Sequence, residues 1–157
     1  MLTRGINKSV AGYAGFRTKA HLHKHLMREV FGTAGMSLRV QHDRIDKTEV
    51  SKIIKRALRS CSKIFLTGKV KVFIFPSFQP FLRKRMNGVS GYTPHAGTVH
   101  IYLSHARGWK QAVLQTVAHE FVHAVTLKHH RWETLLDSLV FEGIAEHFRE
   151  EAVGGEI

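Results

Sequence analysis

The chain has one cysteine, Cys61, among its 157 residues. An intrachain disulfide is therefore excluded, and a thiolate zinc site, which rests on two or more cysteines, has too few ligands. Any metal must be held by histidines and carboxylates. Prolines number three against a hydrophobic fraction of 43%, the composition of a folded chain and not of a disordered one. No apolar run approaches the roughly 18 residues that a membrane-spanning helix needs, and MLTRGINKSVAGYAGF lacks an unbroken apolar signal core. The expected location is cytoplasmic. The first 28 residues, with six Lys or Arg and no acid, also fit an organellar targeting segment or a basic arm. The most informative absence is of acid: there is no Asp or Glu from Val50 to His119, a stretch with twelve Lys or Arg. The C-terminal third then carries eight acidic and three basic residues, for a net charge of +12 over the chain. So basic a surface attracts nucleic acid, another polyanion such as an anionic membrane, or an acidic substrate, and charge alone does not choose among them.

The length is that of one ordinary domain. Residues 1–45 read as a basic N-terminal arm or extension, and 46–157 as a catalytic-sized domain. Within the arm, HLHKH (21–25) sets three histidines on one face of a strand, which the histidine richness of the chain explains without a metal. In DKTEVSKIIKRALRSCSKIF, Val50, Ile53, Ile54, Ala57, Leu58, Cys61 and Ile64 form one apolar helical stripe, with Asp46 and Glu49 as a capping start. Cys61 lies on the stripe and reads as a packing residue. VKVFIF reads as a buried strand stopped by Pro76.

Residues 76–97 hold all three prolines and several glycines, the mark of a long loop or lid. TVHIYLS alternates Val99, Ile101 and Leu103 against His100 and Tyr102. That is a strand with one face in the core and one exposed, where an extended peptide could add by main-chain pairing. A helix from Ser104 runs through Val113, Leu114, Val117, Ala118, Phe121, Val122 and Val125. A last helix in WETLLDSLVFEGIAEHF is expected to pack through Leu135, Leu136, Leu139 and Val140. The order implies an α+β domain.

The penultimate helix contains HEFVH. Histidines at i and i+4 lie one above the other, so His119 and His123 can aim two imidazoles at one ion about 2 Å away. Glu120, beside them, can take a proton from water without being a ligand. Catalytic zinc takes three protein ligands, so a third is needed. His129 has the metzincin spacing, but that pattern's turn glycine is Thr126 here, and no methionine follows Met86 to make its Met-turn. Glu142, on the next helix and 19 residues after His123, is brought back alongside the imidazoles by a helix, turn and returning helix.

With Glu142 the pattern becomes HExxH-x18-E, and FEGIAEHF resembles the corresponding segment of the gluzincins. The resemblance implies that Glu146, one turn further, accepts a hydrogen bond from a ligand histidine. More narrowly, GVSGYTPHAGTVHIYLS, HEFVHAV and TLLDSLVFEGIAEHF resemble the YjaZ-like family of predicted zinc-dependent proteases. This implies a compact zincin-like domain with a small sheet, an active-site helix and a following helix that carries the glutamate ligand.

The expected function is hydrolysis of peptide bonds by one zinc ion on His119, His123 and Glu142, through a metal-activated water with Glu120 as general base. An oxyanion stabiliser is also needed, with Tyr92, His95, His100 and Tyr102 as candidates near the strand. Rival expectations are a nucleic-acid-associated protease, SprT-like or phage-type, and a basic DNA-binding protein with a zinc site. Salt-sensitive DNA binding would mark either. Oligomeric state is not legible.

Overall fold

The structure, a computed structural model, describes residues 47–65, 70–77, 79–129 and 133–154. The expected arm, HLHKH and Asp46 lie outside these residues. The elements run α1 (Lys47–Ile64), β1 (Lys71–Pro76), α2 (Pro80–Arg85), β2 (Val89–His95), β3 (Thr98–Leu103), α3 (Trp109–Thr126), a 3-10 turn (Leu127–His129) and α4 (Leu135–Val153). They form an α+β domain. Among the described residues, no helix is long and apolar enough to cross a membrane.

The sheet has the order β1-β3-β2, with β1 parallel and β2 antiparallel to β3. Helices α1 and α3 lie over one sheet face, where Val99, Ile101 and Leu103 meet Val50, Ile54 and Ala57 of α1 and Val113, Leu114 and Val117 of α3 in one core. Cys61, fully buried, joins a second cluster with Ala118, Phe121, Val122, Ala145 and Phe148. Burial pushes its thiol up to about 12, so it is the packing residue that the helical stripe indicates and not a nucleophile.

Four expectations about the elements are corrected. Residues 76–97 are not a lid: they contain α2 and the whole of β2. The prolines that mark a loop have other uses here. Pro80 opens α2, where a missing N–H costs nothing, and Pro94 sits in β2, an edge strand whose outer N–H positions need no partner. β3 is not a half-exposed edge strand but the central one, buried at all six residues. Its second face is closed by rings: His100 lies 5.2 Å from Phe75 and 6.0 Å from Phe73, each edge to face. The helix read from Ser104 begins at Trp109, after Gly108 in the left-handed region at φ 79°.

The fourth correction concerns α4. Leu135, Leu136, Leu139 and Val140 are not its packing stripe; they are 77%, 68%, 62% and 50% exposed. The buried face is Phe141, Ala145, Phe148 and Arg149. Both sets repeat at helical spacing, so periodicity alone picks the longer aliphatic run. Phe148 stacks on Phe121 at 5.8 Å, and Thr134 with Asp137 closes a capping box that starts the helix. Phe148→Ala is expected to cost roughly 3–5 kcal/mol of unfolding free energy in urea. Leu136→Ala should cost less than about 0.5 kcal/mol. Equal losses would restore the aliphatic face to the core.

Candidate metal centre

Helix α3 sets His119 and His123 one turn apart, with their Nε2 atoms 3.0 Å from each other and the rings nearly perpendicular. His123 is buried and stacks on Phe141 at a centroid distance of 4.1 Å. Packing Phe141 under this ring fixes the rotation of α4, and the next residue, Glu142, comes to the imidazoles. Its Oε2 lies 3.1 Å from His119 Nε2 and its Oε1 3.4 Å from His123 Nε2. A tetrahedral ion with bonds of about 2.0–2.1 Å holds neighbouring donor atoms roughly 3.3 Å apart. The three side chains therefore already have the spacing of one coordination shell. Among the described residues they are the group able to hold a metal, and His129, exposed on the 3-10 turn, is not part of it.

The donor chemistry also fits a cation. Glu146 Oε1 lies 2.7 Å from His119 Nδ1, and Arg149 binds the other oxygen, Oε2, with Nε at 3.1 Å and Nη2 at 2.9 Å. A carboxylate held by a guanidinium accepts, so Nδ1 carries a proton, and in the neutral imidazole Nε2 then presents a lone pair. That lone pair faces the Glu142 carboxylate. With His119 neutral and Glu142 ionised, two acceptors stand 3.1 Å apart, and an ion between them turns their repulsion into coordination. Glu142 is 54% exposed at its side chain, so the centre is open to solvent on the α4 side.

Glu120 is buried under β2. Burial raises its carboxyl above the usual carboxylate range; a hydrogen bond from Thr93 and the nearby His119 oppose the rise, and Glu142 adds to it. Thr93 Oγ1 donates to Glu120 Oε2 at 2.6 Å.

A family model described as "Predicted Zn-dependent protease", DUF2268, matches residues 50–157. The chain belongs to this family. The DUF2268 match runs from within α1 through α4 and so contains every residue of the centre. No curated protein and no solved structure matches the chain.

In this DUF2268 member, the remaining sequence candidates are not brought to the centre. Tyr92, His100 and Tyr102 are neighbours of one another on the second face of the sheet. His100 Nδ1 lies 3.2 Å from the Tyr102 hydroxyl, and the Tyr92 ring is 6.1 Å from that of His100. Strand alternation gives the reason: their neighbours Gly91 and Ile101 point to the helices, so they point away. His95 pairs in register with Thr98, on the same side, and its Nδ1 lies 3.0 Å from the carbonyl of Ala96. Conversely, Thr93, Gly91 and Arg149 touch the centre and escaped sequence reasoning. Arg149 had a legible signal, since it stands one turn beyond Glu146 on the same helical face. Thr93 and Gly91 lay in the stretch read as a loop.

Proposed function

We propose that the chain is a gluzincin-like peptide hydrolase, with one zinc ion held by His119, His123 and Glu142. The convergence of these three donors at 3.0–3.4 Å, beside a buried Glu120, carries the reading. When bound, zinc supplies a Lewis acid that polarises the scissile carbonyl and lowers the pKa of water. Glu120 takes the proton of the attacking water and delivers it to the leaving amine. Glu146, fixed by Arg149, keeps the proton of His119 on Nδ1 and its lone pair on Nε2. β2 is an edge strand of the described sheet, and such an edge offers main-chain groups to an extended substrate. It takes the role expected of β3.

The protein loaded with one equivalent of zinc is expected to cut members of a mixed-sequence peptide library, read by mass spectrometry. A chelator should stop cleavage and added zinc restore it. Cleavage indifferent to chelation, or none by the zinc-loaded protein, overturns the reading.

A further inference from the structure

The second strand does more than supply an edge: it carries two residues that bear directly on Glu120. Thr93 lies in the irregular part of β2, between Tyr92 and His95, where the register with β3 shifts. Such irregularities re-aim a side chain. Here the Thr93 hydroxyl reaches Glu120 Oε2 at 2.6 Å and lies 3.3 Å from the main-chain carbonyl of the same residue. A threonine side chain is stiff at χ1, so the donor is held in place before the carboxylate arrives. Two residues earlier, Gly91 packs against the same side chain. A Cβ on Gly91 would stand 2.5 Å from Glu120 Cγ, 2.7 Å from Thr116 Cγ2 and 2.9 Å from Glu120 Oε1. Those distances are far inside van der Waals contact, and Thr116 sits one turn before Glu120 on α3, so a Cβ would press on both side chains.

We propose that Thr93 and Gly91 are positioning residues that clamp the Glu120 carboxylate and decide which of its oxygens acts as the base. This rests on the hydrolase reading above. The Thr93 hydroxyl has one proton to give, and it gives it to Oε2. Oε1, seated over the bare backbone of Gly91, keeps its lone pairs and is the atom that takes the proton of the attacking water. The glycine is required by close approach and not by an unusual φ, since Gly91 is absent from the positive-φ positions. A donor and a gap on one strand therefore hold a residue on another element in a single orientation.

The test uses the full-length, zinc-loaded protein and a peptide that the wild type cleaves. Thr93→Val keeps the shape and removes the donor. It is expected to lower kcat by about 10–100-fold, as small misplacements of a catalytic group do, with KM and zinc stoichiometry unchanged. Thr93→Ser returns the hydroxyl and should recover most of kcat. Gly91→Ala should lose kcat to a similar degree with zinc retained, whatever stands at position 93. A second readout needs no activity: in protein labelled with carbon-13 at glutamate carboxyls, the resonance assigned to Glu120 by its loss in Glu120→Gln should move in Thr93→Val and stay in Thr93→Ser. Unchanged kcat in Thr93→Val, a serine variant as poor as the valine, or an unmoved resonance overturns the clamp. A wild type that hydrolyses nothing overturns the general-base role and the choice of Oε1, while the resonance still judges the contact itself.

Discussion

Glu142→Ala is expected to weaken zinc binding by more than about 100-fold, while His129→Ala leaves it unchanged. Loss of a group that only orients a ligand costs about 10–100-fold in affinity, and removing a donor atom exceeds that. Without Glu142 the centre has two neutral imidazoles and no anionic ligand from the protein. The fold should survive, because the Glu142 side chain is half exposed on a helix, where alanine is the most favourable residue. Loss of metal can then be read without confusion from unfolding. The measurement is zinc content after dialysis, together with competition against a chromophoric chelator. His129 serves as the control because it has the spacing of a third ligand in the sequence yet stands exposed on the turn after α3. Zinc that survives Glu142→Ala but falls with His129→Ala would reverse the ligand assignment.

The parts of the centre that lie on helices were legible because a helix turns spacing into geometry. His119 and His123 share a face by their separation of four, and Glu142 returns through a helical hairpin. The strand side was hidden. β2 holds Gly91, which has no side chain because Glu120 occupies the space, and Pro94, which an edge strand tolerates. The residues fitted to the site are therefore the ones that remove the strand signal. The stripe of α4 failed for a different reason. Leu135, Leu136, Leu139 and Val140 are as periodic as Phe141, Ala145 and Phe148, and only the docking of Phe141 under His123 and of Phe148 on Phe121 decides which face turns inward. The alternation of β3 marks Val99, Ile101 and Leu103 as core residues, and they are buried in it. A sequence does not show that aromatic rings of β1 and β2 close over the other face.

Glu120→Gln is expected to lower the rate of peptide hydrolysis by about 10²–10⁴-fold, the contribution usual for a positioned general base. Zinc should remain bound, since none of the three donor atoms is touched. The glutamine fills the same space over Gly91, and its carbonyl still accepts from Thr93, so the strand contact is kept while the proton acceptor is lost. Stability should move the other way. Burial raises the folded-state pKa of Glu120 above its unfolded value, so between the two the unfolded chain has released a proton that the folded protein retains. Stability of the metal-free wild type therefore falls as pH rises through that window. A neutral glutamine has no such loss, so metal-free Glu120→Gln should melt at or above the wild-type temperature at neutral pH. The advantage should vanish below the unfolded carboxylate pKa of about 4.3. Hydrolysis retained in the variant with zinc bound would remove Glu120 from the chemistry. A lower melting temperature at neutral pH would mean that its ionised form is held by more than Thr93.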